Sequence, residues 1–140
     1  MKRRKINILA LCCAFSLCLL TIAPAPAWSA ATVTVEILYM NHGPLRATIS
    51  DVKKLLDHYQ GKVNARWFDV DQNEGKAFEK EKGIRGHVPL LLLINGKKEF
   101  VVDGKTITFE GFPSGSGPFK EVEGNWSVAD LQWLLDSLTR

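Results

Sequence analysis

Beyond residue 18 the chain has no cysteine, since its three thiols are Cys12, Cys13 and Cys18. A domain built from the remainder cannot form a disulfide, present a thiolate nucleophile or ligate an iron–sulfur cluster. An excess of one charge is missing too. Four of the 18 basic residues, Lys2, Arg3, Arg4 and Lys5, cluster at the start, and the other 14 stand against 15 acidic residues, a formal charge of −1. That balance gives no electrostatic case for nucleic acid or an anionic membrane surface. Internal repeats and low-complexity tracts are absent as well. What remains is 140 residues, 46% hydrophobic and 24% charged, which suits one folded domain and excludes a multidomain enzyme or a disordered tail.

The basic cluster leads into an apolar run, Ile6 to Ala23, and then Ala-Pro-Ala-Pro-Ala. Charged, apolar and small residues in that order mark a secretory signal peptide. Residues 1–30 are therefore expected to be a leader cleaved between positions 27 and 31. Residues 31–140 are left as one domain, about 110 residues and enough for a single core. Pro24 and Pro26 argue against an uncleaved membrane anchor, and Leu11 and Leu17 are too large to precede a lipid-modified cysteine. The expected location is periplasmic or secreted, with no membrane contact after cleavage.

Thr32 to Met40, TVTVEILYM, is β-branched and aromatic and predicts a strand. After the turn residues Asn41 to Pro44, Leu45, Ile49, Val52, Leu56 and Tyr59 recur at helical spacing, and Gly61 is expected to close that helix. Val63 to Val70 predicts a second strand. Glu74 to Lys82 predicts a short charged helix with Ala77 and Phe78 inward, ended by Gly83. Pro89 to Ile94 is apolar at every position, as in a central strand covered on both faces. Asn95-Gly96 and Asp103-Gly104 predict hairpin turns around strands at Glu99 to Val102 and Thr106 to Glu110. An irregular stretch, Gly111 to Asn125, precedes a last helix capped by Ser127 and Asp130, with Val128, Leu131, Leu134, Leu135 and Leu138 inward. The order β-α-β-α-β-β-β-α predicts an α/β fold, a central mixed sheet with helices on both faces.

The segment VDQNEGKAFEKEKGIRGHVPLLLLINGK, residues 70–97, resembles bacterial thioredoxins through their helix, Gly-Ile-Arg-Gly loop, cis-proline and following strand. Pro89 stands at the cis-proline. His42-Gly43-Pro44-Leu45-Arg46 stands where thioredoxins carry Cys-Gly-Pro-Cys and a basic residue. The resemblance implies a thioredoxin-like fold for residues 31–140. There are four departures. His42 and Leu45 replace both cysteines, and one extra residue precedes the proline in His87-Val88-Pro89. The stretch from Lys98 to Asn125 is longer, and the family's leading strand and helix are missing.

Disulfide exchange needs one sulfur to attack and another to resolve, and imidazole forms no stable mixed disulfide. The family's oxidoreductase activity therefore does not carry over, and no catalytic residue or cofactor is expected. The resemblance implies instead a groove for an extended peptide or an exported protein. Its expected residues are His42, Gly43, Pro44, Leu45, Arg46, His87, Val88 and Pro89, with Val88 offering a main-chain edge for strand addition. Tyr39 and Met40 would extend its apolar surface, with Arg85 at the rim. The alternative is a metal site at His42 and His87, and two imidazoles are too few for a tight structural site. A thiol–disulfide enzyme would need an external thiol or an uncleaved leader. Glu36 stands where thioredoxins keep a buried acid. With no cysteine to assist, it is expected to pair with a lysine or lie at a solvated strand edge. Ser114 to Gly117 lacks a phosphate-loop Lys, and Asp69 to Asn73 lacks the Gly and Glu of a calcium loop.

Overall fold

The computed structural model describes residues 32–140, so the expected leader and its cleavage point lie outside the described residues. The strands are β1 (Val33–Tyr39), β2 (Val63–Asp69), β3 (Leu90–Ile94), β4 (Glu99–Val102) and β5 (Lys105–Thr108). The helices are α1 (Arg46–Asp57), α2 (Asn73–Lys82) and α3 (Val128–Leu138), with single 3-10 turns at Gly43–Leu45 and Lys120–Val122. The predicted order of strands and helices is the order found.

One sheet has the order β2-β1-β3, and β4 and β5 form a separate hairpin. β1 runs parallel to β2, with Val33 opposite Val63, and antiparallel to β3, with Tyr39 opposite Leu90. The molecule is thus a mixed α/β structure. β1, not β3, is the middle strand. β3 is nevertheless buried along its whole length because the chain after β5 covers its outer edge. Leu92 N–H donates to the Phe109 carbonyl at 2.9 Å, and Gly111 N–H to the Leu90 carbonyl at 2.8 Å. That coverage is the physical reason for an apolar residue at every position.

The strand pleat divides the core. Val33, Val35 and Ile37 of β1 join Leu90, Leu92 and Ile94 of β3 beneath α1 and α3, which contribute Val52, Leu56, Leu131, Leu134 and Leu135. Leu38, Leu91 and Leu93 face the other way, against Phe78 of α2. Helices therefore lie on both faces, as the residue pattern predicts. Phe78 also stacks on Phe68 with centroids 4.0 Å apart.

Three local expectations are corrected. Ala77 is exposed, and Gly75 is buried beside Phe78, because residues three apart share a helix face. A Cβ on Gly75 would lie 1.9 Å from the Asp69 carbonyl oxygen, so α2 sits directly on the end of β2. Gly61 does not close α1. That helix ends at Asp57, and Gly61, at φ +81, forms the turn in which Lys62 and Val63 donate to the Tyr59 carbonyl. Leu138 is not in the inner stripe of α3 but largely exposed, since the last turn runs past the edge of the sheet's core. The Asn95-Gly96 and Asp103-Gly104 turns have the paired positive φ that two-residue hairpins need. Gly83 ends α2 in the left-handed region, and Ser127 and Asp130 form the expected capping box.

The chain's two tyrosines, Tyr39 and Tyr59, are both held against ionisation. Burial, then a 2.6 Å hydrogen bond from its hydroxyl to Asp136, pushes Tyr59 up to about 12. Burial, then the Asp69 carboxylate, raises Tyr39 above 10.0. Folding favours the neutral phenol, so this stabilisation is intact below the unfolded value of 10.0 and is lost as pH rises through the folded values. Native protein titrated in alkali is expected to show no tyrosinate step centred on 10.0, and denatured protein should show one there. A native step at the unfolded value would contradict the Tyr59–Asp136 packing of α1 against α3.

Candidate functional site

The C-terminal end of β1 delivers the chain into Asn41 and His42, which is extended at φ −99 and ψ 156. Gly43 begins the 3-10 turn and Pro44 follows it, with a fixed φ that suits a helix start. Leu45 is buried under that turn, and Arg46 opens α1 with its side chain in solvent. The second predicted segment returns alongside, with Met40 N–H donating to the Pro89 carbonyl at 3.0 Å.

The peptide bond before Pro89 is trans, as is every bond among the described residues. The expectation of a cis-proline is corrected. Gly86 at φ +85 and the additional residue of His87-Val88-Pro89 supply the reversal, so the chain reaches β3 with the ordinary, more stable isomer.

Met40, His42, Pro44, Leu45, His87 and Pro89 come together around a cleft of about 270 Å³. Its far wall is Phe112, Pro118, Phe119 and Val122, from the long stretch between β5 and α3. Gly43, Arg46 and Val88, named with these residues from the sequence, do not line it. Val88 lines an adjoining hollow of about 190 Å³ with Glu110, Glu121 and Glu123, and it also packs with Leu91 and Leu93 on the α2 face. Tyr39 points elsewhere, packing edge-on against Trp67 at 5.7 Å between centroids. None of these wall residues is among those expected of the groove. Their signal was the density of Phe and Pro between Gly111 and Phe119 in a stretch too long for a simple connection.

That stretch is tied down at both ends. Phe112 N–H donates to the Val122 carbonyl at 2.8 Å, and Gly124 N–H to the Phe112 carbonyl at 2.7 Å. The Asn125 side chain accepts from Thr108 N–H at 2.8 Å and donates to the Thr106 carbonyl at 2.9 Å. Fully buried Trp126 donates from Nε1 to the Gly111 carbonyl at 3.1 Å. Glu123 gathers the loop's turn. Lys120 at 2.8 Å, then the Gly115 and Gly117 amides, hold its carboxyl below the usual range. Phe112 and Pro113 are buried, whereas Phe119 is 69% exposed at the cleft mouth.

No protein-family model matches the chain, and comparison with curated proteins gives no significant match.

The chemistry open to the cleft follows from its atoms. Its walls contain no thiol, and the Met40 thioether is their one sulfur and the only one among the described residues. His42 Nε2 lies 3.6 Å from Asp71 Oδ2, with both side chains exposed. His87 shares the cleft with His42. Among the described residues no group of three or more His, Cys, Asp or Glu side chains is placed to hold a metal ion. Glu36 is buried and pairs with Arg66 at 3.1 Å and Lys82 at 3.3 Å, on the α2 face of the sheet. The lysine pairing expected of it is present, and the solvated edge is not. No described helix is long and apolar enough to cross a membrane.

Proposed function

We propose that this is an exported protein of thioredoxin-like fold, without redox chemistry, whose cleft holds an apolar side chain of an extended peptide or partner protein. The observation that carries the reading is the cleft itself. Two segments 40 residues apart in the chain and a well-tied loop converge on one apolar hollow, with Phe119 left in solvent beside it. Phe119 extends the apolar surface of the cleft, and pockets of this kind anchor binding through a few buried apolar groups. The strand order, with β1 parallel to β2 and antiparallel to β3, suits the thioredoxin-like reading. The charged and apolar leader supports export. The absence of thiols supports binding without turnover.

The test is selection of a displayed random peptide library on the purified protein. Peptides sharing one large apolar residue are expected. Their affinity should fall at least about tenfold in Phe119→Ser, as loss of a buried aromatic contact requires. The stability of that variant should stay within about 0.5 kcal/mol of the parent, since Phe119 is a surface residue. Insulin reduction should remain at background. An unenriched library, or binding indifferent to Phe119, would overturn the reading.

A further inference from the structure

A second cleft, of about 390 Å³, lies on the opposite face of the sheet, beyond the C-terminal end of α2. α2 is the helix on that face, and its Phe78 packs with Leu38, Leu91 and Leu93, the last two only 4% and 8% exposed. Past the helix end at Lys82, these two leucines and half-buried Val88 form the base of the cleft. The walls bring in Lys82, Arg85 and Lys98 against a single carboxylate, Glu110. Lys82 is engaged with Glu36 and Glu81, and Lys98 with Glu110. Arg85 forms no ion pair among the described residues.

An apolar floor beneath one unpaired guanidinium is matched by a ligand with an apolar body and one anionic head. We infer that this cleft binds a small monocarboxylate carried on an aromatic or branched aliphatic group. The planar guanidinium fork of Arg85 fits an oxyanion through two parallel hydrogen bonds. Two features then choose carboxylate over phosphate. The end of α2 nearest the cleft is its C-terminus, whose partial negative charge opposes a multiply charged anion. Glu110 in the wall opposes it further. The volume suits a ligand at the small end of the usual pocket range, about 300–1,000 Å³.

The test uses phenylacetate as the probe, followed by amide NMR of the purified protein. Saturable shifts are expected at Gly83, Arg85 and Gly96. Acetate and the neutral isostere 2-phenylethanol should each bind at least about tenfold more weakly, because each lacks one half of the recognition. Arg85→Gln, at an exposed position, should weaken phenylacetate by a similar factor. Glu110→Gln should tighten it about threefold by removing a repelling charge, a gain that structural damage does not mimic. The inference is overturned by any of four results: no saturable shift, equal binding of 2-phenylethanol, equal or tighter binding of inorganic phosphate, or weaker binding in Glu110→Gln. Each of these results is independent of peptide binding at the Phe119 cleft.

Discussion

Replacing Trp126 with alanine is expected to cost about 3–5 kcal/mol, the range for removing a large buried aromatic. Trp126 has no exposed surface, packs at 5.7 Å between centroids against Phe109, and donates from its indole to Gly111. Two glycines record how tightly the chain closes there. A Cβ on Gly124 would come 2.1 Å from the Glu110 carbonyl oxygen and 2.8 Å from the indole Cδ1. Gly111, at φ +76, approaches the Val122 carbonyl in the same way. Alanine at 126 therefore leaves a cavity and strands the Gly111 carbonyl. Against a total stability of about 5–15 kcal/mol, the loss is a large fraction. Trp126→Phe keeps most of the packing and should cost less, about 1–2 kcal/mol, chiefly through the unpaired carbonyl. Urea denaturation followed by far-ultraviolet circular dichroism measures both. The same alanine variant should loosen the wall of Phe112 and Val122 and so weaken peptide binding at the cleft. A loss below about 1 kcal/mol would mean that Trp126 does not organise this region.

Glu36→Ala is expected to destabilise the protein by about 2–3 kcal/mol. The carboxylate is buried at 8% side-chain exposure, while its partners Arg66 and Lys82 are 55% and 29% exposed. Breaking a fully buried pair costs about 3–5 kcal/mol, and the solvent available to both cations reduces that figure. The double variant Glu36→Leu with Lys82→Met should recover most of the loss, because Met at 82 would pack where the lysine now lies over the Phe78 ring. The pH dependence has a fixed sign. The hydrogen bond to Glu36 raises the Lys82 ammonium above 10.5. Its stabilisation is therefore present below the unfolded value of 10.5 and lost as pH rises through the folded one. Comparing alkaline stability of the parent and the double variant isolates this contribution from the tyrosines, which both proteins share. An unchanged stability in Glu36→Ala would show that α2 is held by Phe78 and Gly75 alone.

The local signals in the chain were readable because each is written within a few neighbouring residues. Asn95-Gly96 and Asp103-Gly104 demand positive φ at both positions, and Ser127 with Asp130 completes a cap within one turn. The helical spacing of Val52 and Leu56 in α1, and of Leu131, Leu134 and Leu135 in α3, reveals which helix faces are buried. Ala77 was misplaced because apolar character outweighed the small size of Gly75, and close approach to the Asp69 carbonyl has no signature in hydropathy. The site was half readable. His42, Pro44, Leu45, His87 and Pro89 line one cleft, because antiparallel pairing sets the C-terminal end of β1 beside the start of β3. The trans bond before Pro89 was not readable, because backbone geometry at a proline is not written in residue type.

By itself the sequence determined the order of strands and helices, the two-faced core, and the lack of sulfur chemistry after residue 18. All of these follow from residue type and short-range spacing. Only the tertiary structure decided that Phe112, Pro118, Phe119 and Val122 wall the cleft, that Glu36 is a buried ion-pair centre, and that Arg85 shares a cleft with Val88, Leu91 and Leu93. Those outcomes rest on residues up to 82 positions apart meeting around one cleft, Met40 and Val122, and no local preference specifies which distant surfaces will meet.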